Sequence, residues 1–200
     1  MKMQMYKKKE ILEDITKKRR NVIDLIVEMK DLTGLAIDLG FSALLLQDKK
    51  LAEKIMELKE EMEIKQYEIE IECMLAASNV EQALGLTSVM RVASAVADIS
   101  DAVNEITDGV LRGIPPHPTI KEALKAAAET IDSVNVKKGS KVVGKTIEEV
   151  TKGLVKVIGL KREDVWSYQP NPEERIKSKD FLIVSGSKGR VHEAIKELKK

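Results

Sequence analysis

Asp98, Asp101 and Glu105 stand three and then four residues apart. At about 100° per residue, that spacing sets three carboxylates along one side of a helix. Several oxygen ligands gathered in this way suit a hard divalent cation, and Asp38 or Asp31 from an earlier helix could complete the set. A solvated or dimer-facing acidic row has the same spacing, so both readings stand. The second group is Ser185-Gly186-Ser187-Lys188-Gly189-Arg190. A glycine-rich turn between a strand and a helix can offer backbone N–H groups to an anion, with Ser187, Lys188 and Arg190 beside them. The strand-to-helix junction alone also accounts for these residues, and the spacing of a nucleotide-hydrolysing phosphate loop is absent. His117 and His192 are far apart, and no His or Cys pair shows zinc-ligand spacing. Without a Ser, His and acid arrangement, paired carboxylates over a cleft or a cofactor fingerprint, catalysis is not expected.

A chain of 200 residues, 43% of them apolar, is long enough for a real core and for one or two domains. Aromatic residues are only 3%, so that core must be built from Leu, Ile, Val, Met and Ala, which favours helix packing. The 34 basic residues almost balance 33 acidic ones, and a net charge of +1 gives no global field pointing to nucleic acid. A single cysteine, Cys73, allows no internal disulfide and fits a reducing cytoplasm. Its neighbours Ile69, Met74 and Leu75 mark it as a core residue rather than a nucleophile. No uncharged apolar stretch reaches the roughly 18 residues of a membrane span, and no signal-peptide pattern opens the chain.

The elements that must position these groups begin after a basic arm, residues 1–20, in which eight Lys and Arg face three acids. Such an arm reads first as a solvated terminus, with anionic lipid or an acidic partner as the functional alternative. Asn21, with Asp24 at its third position, opens a helix whose seam of Val22, Leu25, Met29, Leu32, Ala36, Leu39, Ala43 and Leu46 runs to about Gln47. Asp48 caps a second helix with Leu51, Ile55, Leu58 and Met62 on one stripe, continued after a phase shift by Ile64, Ile71 and Leu75. Asn79 with Gln82 opens a third, and Gly113 with two prolines beyond closes it. Val89, Val92, Val96, Ile99, Val103, Ile106 and Val110 predict its buried face. Connections this short make the three helices an up-down-up antiparallel bundle.

Two runs in residues 21–113 resemble one repeat of the PhoU helical domain: Ser42-Ala43-Leu44-Leu45-Leu46-Gln47-Asp48-Lys49-Lys50-Leu51-Ala52-Glu53 and Ala93-Ser94-Ala95-Val96-Ala97-Asp98-Ile99-Ser100-Asp101-Ala102. PhoU proteins accompany phosphate transport and can hold metal clusters through a Glu/Asp-x-x-x-Asp signature on such a helix. Asp101 matches the second acid of that signature, whereas the first falls on Ala97, with Asp98 one place along. The metal ligands that remain are Asp38, Asp98, Asp101 and Glu105.

Ile114-Pro115-Pro116-His117-Pro118 breaks the pattern, and Thr119 with Glu122 predicts a connector helix to about Thr130, making residues 114–130 a stiff link. From Ile131 the period changes to a strand to Val136, a turn at Lys138-Gly139-Ser140 and a short helix over Thr146–Val150. Leu154–Leu160 and Phe181–Val184 read as central strands, with Val165–Gln169 a third, before a final helix carrying Val191, Ala194, Ile195 and Leu198. Gly139-Ser140-Lys141-Val142-Val143-Gly144-Lys145-Thr146-Ile147, Asn171-Pro172 and Asp180-Phe181-Leu182-Ile183-Val184-Ser185-Gly186-Ser187 resemble the TrkA carboxy-terminal domain, although Lys179 replaces a frequent Gly. That family belongs to regulatory subunits controlling potassium uptake and efflux. In it small ligands, cyclic dinucleotides among them, bind where two such domains meet. Asn171, Arg175, Ser187, Lys188 and Arg190 are the expected ligand contacts.

The fold expected is α plus α+β, an antiparallel PhoU-like bundle followed over residues 131–200 by a small β-α-β-β-β-α TrkA-C-like domain. The function expected is that of a cytoplasmic regulatory subunit, peripheral at the inner face of the membrane. As a homodimer it senses a small ligand such as a nucleotide or cyclic dinucleotide and modulates a cation transporter or channel, with potassium as the cation and no nucleic-acid partner. The alternative is a PhoU-type adaptor in phosphate-transport signalling that binds a divalent metal, its second domain only dimerising.

Overall fold

The structure, a computed structural model, describes residues 20–127 and 129–199. Apart from Arg20, the basic arm lies outside the described residues. The chain divides into two compact units, one made of the described residues up to Ile37 with Glu53–Ile106, the other of Asp38–Ala52 with the chain from Thr107 onward.

Three long helices come first, α1 (Val22–Leu46), α2 (Lys49–Ala76) and α3 (Val80–Leu111). Each begins where a short polar side chain can take up an orphan N–H. Asn21 Oδ1 accepts from Ile23 N at 2.9 Å, Asp48 Oδ1 from Lys50 N at 2.9 Å, and Asn79 Oδ1 from Gln82 N at 2.9 Å. The Gln82 side-chain Oε1 reaches back one residue further than a capping box does, accepting from Ser78 N at 3.2 Å. Gly113, at φ 73, ends α3 in a Schellman motif: Gly113 N donates to Val110 O at 3.0 Å and Ile114 N to Gly109 O at 2.8 Å.

In the first unit Leu25, Met29, Ile69, Cys73, Ala93 and Ala97 form one core cluster. Each large apolar side chain fully withdrawn there contributes about 1.5–3 kcal/mol. The phase shift expected in α2 does not occur. Leu51, Ile55, Leu58, Met62, Lys65, Ile69 and Cys73 are all buried, while Leu75 is 63% exposed. Lys65 holds the stripe in phase because its stem packs like a hydrocarbon while Nζ donates to Glu28 Oε2 at 2.6 Å. Glu28 also accepts from Arg20.

The expected buried face of α3 is corrected as well. Ala93, Ala97, Ser100, Val103, Thr107 and Val110 are buried, while Val92, Ile99 and Ile106 are 51%, 41% and 41% exposed. Small side chains let neighbouring helices approach closely, and close packing decided the orientation against side-chain size. By length and composition α3 could cross a membrane, although it carries charges such as Arg91 that keep it from reading as an uncharged run.

The second unit holds α4 (Pro118–Ala126), β1 (Glu129–Asn135), α5 (Ile147–Thr151), β2 (Lys156–Arg162), β3 (Val165–Tyr168), β4 (Phe181–Ser187) and α6 (Lys188–Leu198). The α4 cap is His117, whose Nδ1 accepts from Thr119 N at 3.3 Å, rather than Thr119 itself. Pro118 at the first helical position needs no donor, so the helix starts two residues earlier than expected. Thr146 caps α5 in a full capping box with Glu149, at 3.1 Å and 2.7 Å.

The sheet is antiparallel throughout in the order β1-β4-β2-β3, which makes β4 and β2 the central strands, as their apolar runs predict. Val157 and Leu160 of β2 pair with Val184 and Leu182 of β4 and join Ile147, Val150, Val191, Ala194, Ile195 and Leu198 in one core, so α5 and α6 cover this face. Val157 and Leu160 are three residues apart and reach the same face because a bulge at Ile158 resets the alternation. Gly159 lies under the only tryptophan: a Cβ there would stand 3.0 Å from the Trp166 ring.

Candidate ligand site

The loop from Gln169 to Asp180 is folded around one arginine. Arg162, at the end of β2, sends Nε to Asp180 Oδ1 at 2.8 Å and Nη2 to Asp180 Oδ2 at 2.7 Å. Its Nη1 reaches Glu174 Oε1 at 3.1 Å, and Nη2 also donates to the Arg175 carbonyl at 3.1 Å. Asp180 is completely buried, so only a paired guanidinium makes its charge tolerable. The hydrogen bond to Asp180, outweighing the cost of burial, raises the Arg162 pKa. Nothing in the sequence pattern singled out Arg162. The signal that could have done so was Asp180 in a run otherwise destined for the sheet interior, which demands a cation.

Two of the expected ligand contacts belong to this loop. Asn171 Oδ1 accepts from Glu173 N at 2.9 Å in an Asx-turn, and Arg175 Nη1 donates to Gly144 O at 2.6 Å. Both side chains hold loop backbone in place. The other three, Ser187, Lys188 and Arg190, sit at the β4–α6 junction, where Ser187 precedes the helix without capping it through its side chain. Lys188 lines a cavity of about 450 Å³ with Leu45, Leu124, Ile131, Val191 and His192. Arg175 is tied to Arg162, whose partner Asp180 precedes the first residue of β4, while Ser187 is its last. A strand of this length spans about 20 Å. Within one protomer Arg175 and Ser187 therefore belong to opposite ends of β4.

Beside Arg162 opens a cleft of about 670 Å³ lined by Asp48, Asn135, Lys161, Arg162, Glu163, Asp164, Lys177, Ser178, Lys179 and Phe181. Its charges are partly spent internally, since Lys161 pairs with Asp164 at 3.3 Å. Across β2 and β3, Trp166 stacks on Tyr168 at 6.0 Å and meets Phe181 edge-on at 5.9 Å, with the Lys161 ammonium 5.7 Å from the Trp166 ring centre.

The four residues expected to hold metal take other partners or face solvent. Asp101 pairs with Lys59 at 3.0 Å, and this hydrogen bond raises the Lys59 pKa. Asp38 pairs with Lys156 at 2.8 Å. Asp98 and Glu105 are exposed. Among the described residues no three His, Cys, Asp or Glu side chains gather closely enough to hold a metal ion. Cys73 is buried, and burial pushes its thiol pKa up, which suits a core residue.

Comparison with known proteins gives a PhoU domain over residues 26–110 and a TrkA-C domain over residues 133–199. No curated protein matches the chain. Among solved structures, the RCK_C domain dimer of S. agalactiae BusR in complex with c-di-AMP is 17% identical, with a TM-score of 0.32, over 36% of this chain and 93% of that one. The RCK C domain of the potassium transport protein KtrA in complex with cyclic diadenosine monophosphate is 21% identical, TM-score 0.31, over 39% and 94%. The GsuK channel bound to NAD is 16% identical, TM-score 0.33, over 61% of this chain and 21% of that one. BusR is also seen in complex with its busAB promoter DNA. The chain thus matches the PhoU domain family over residues 26–110 and the TrkA-C domain family over residues 133–199.

Proposed function

We propose that the protein is a cytoplasmic regulatory subunit, peripheral at the inner membrane face, that senses a small ligand through its TrkA-C domain and modulates a potassium transporter or channel. The observation that carries this reading is the presence of a TrkA-C domain and a PhoU domain on one chain. The ligand is a nucleotide or cyclic dinucleotide held in a homodimer. Arg175 and Ser187 belong to opposite ends of β4 within one protomer, so a ligand that meets both does so across two copies. Binding shifts the populations of two states, and the Pro-rich segment from Ile114 to Ala126 passes that bias along the chain. The near-zero net charge keeps nucleic acid outside this reading.

Thermal-shift and calorimetric titration of the full chain with c-di-AMP, other cyclic dinucleotides and NAD tests the proposal, with duplex DNA as control. One nucleotide ligand should raise the melting temperature, and Lys188→Ala and Arg175→Ala should weaken its binding. Flat responses to every nucleotide would remove the sensing role.

A further inference from the structure

We infer that the exposed face of α3 is a self-association surface, on which a second copy of this chain packs its own α3 antiparallel. Val92, Ile99 and Ile106 repeat every seven residues, and Ser88, Ala95 and Ala102 repeat in step between them. All six lie outside the core of the first unit: the three large residues are 51%, 41% and 41% exposed, and the three small ones are exposed too. One turn before them at Gly85, an added Cβ would meet nothing within 4 Å. A seam of β-branched residues alternating with small ones is a coiled-coil pattern with half of its partner missing.

The pattern identifies the missing half. In a parallel pair, equal seam positions meet, so small would face small and leave a gap. In an antiparallel pair the seam complements itself: Val92 seats on Ala102 of the second copy, Ile99 on Ala95 and Ile106 on Ser88. That register is isologous, as a two-fold axis requires. It also brings Arg91 within about one helical turn of Glu105 of the second copy, at both ends of the contact. Neither Arg91 nor Glu105 takes part in an ion pair among the described residues. Asp98 lies close to the axis and meets its own copy, the one repulsive contact, partly screened at the solvated rim. A membrane is the other occupant that α3 admits by length and composition, but Arg91, Asp98 and Glu105 flank the seam and would enter lipid with it. The inference does not depend on the ligand-sensing role.

Disulfide trapping in the full chain tests it. Ala95→Cys and Ile99→Cys are introduced singly, and the two proteins are mixed under mild oxidation. The expected product joins position 95 of one copy to position 99 of the other. Adding Val92→Asp should lower its yield about tenfold or more, since an apolar contact becomes a buried charge. Adding Asp98→Asn should raise the yield at low salt by removing the repulsion at the axis. Circular dichroism confirms that each variant keeps its helices. Absence of the 95–99 product, a dominance of 95–95 and 99–99 products, or a yield unmoved by Val92→Asp overturns the inference. So does vesicle binding that competes with the product and is lost in Val92→Asp.

Discussion

The Arg162 guanidinium holds the fully buried Asp180 carboxylate through two parallel hydrogen bonds, 2.8 Å from Nε to Oδ1 and 2.7 Å from Nη2 to Oδ2. The same carboxylate accepts from Lys177 N at 2.7 Å, which pins the turn leading into β4. Replacing Arg162 with Met should cost about 3–5 kcal/mol, because Asp180 would stay buried without its cation. Arg162→Lys should recover little, since one ammonium cannot match the fork. Urea unfolding measures both, and a loss below about 1 kcal/mol for Arg162→Met would show the pair to be dispensable.

Glu28 gives the first unit a pH dependence. The hydrogen bond from Lys65, and then that from Arg20, hold its carboxyl below the usual glutamate range. A depressed folded pKa means that the contribution is complete above the unfolded pKa and fades as pH falls through the folded one. The stability difference between the wild type and Glu28→Gln should be constant from neutral pH down to the usual carboxylate range, then shrink on further acidification. A difference that grows towards acid pH would contradict this assignment.

Gly159→Ala should strain the sheet. The new methyl would stand 3.0 Å and 3.4 Å from two Trp166 ring carbons and 3.7 Å from Ile183. Moving the ring costs about 1–3 kcal/mol. As Trp166 is the only tryptophan, its emission should shift in the folded variant. An unchanged spectrum with unchanged stability would mean that the ring yields freely.

At the end of α3, Gly113→Ala forces a Cβ into the left-handed region, at φ 73. It should lower stability by about 1–2 kcal/mol, whereas Gly34→Ala in α1, where a Cβ would meet nothing within 4 Å, should be neutral or stabilising. Thermal melts of the two variants, compared directly, check the contrast.

Helix ends and strands were legible in the sequence because they rest on local chemistry. Asn21, Asp48 and Asn79 cap where their side chains suggest, and the apolar runs of β2 and β4 mark central strands. Facing was harder to read. In α3 two adjoining rows are apolar, and size favours Val92, Ile99 and Ile106, yet neighbouring helices accept the smaller Ala93 and Ala97. In α2 a lysine stands in the buried stripe because Glu28, 37 residues away in sequence, neutralises it. The expected ligand residues rest on a motif, and a motif does not reveal that Asn171 binds the backbone of its own loop and Arg175 the carbonyl of Gly144, while Lys188 lies by a cavity at the far end of β4.

The bulge in β2 bears on how this strand tolerates changes in length. Ile158 has no counterpart across β4, where Val157 answers Val184 and Gly159 answers Ile183. Deleting Ile158 would therefore leave every other side chain of the strand on the face it already occupies. Deleting Leu160 or Lys161 instead would turn the residues beyond it over, carrying Arg162 away from Asp180. Loss of Ile158 would thus spare the facing of β2 while emptying a fully buried site, whereas loss of a later residue would cost the facing itself.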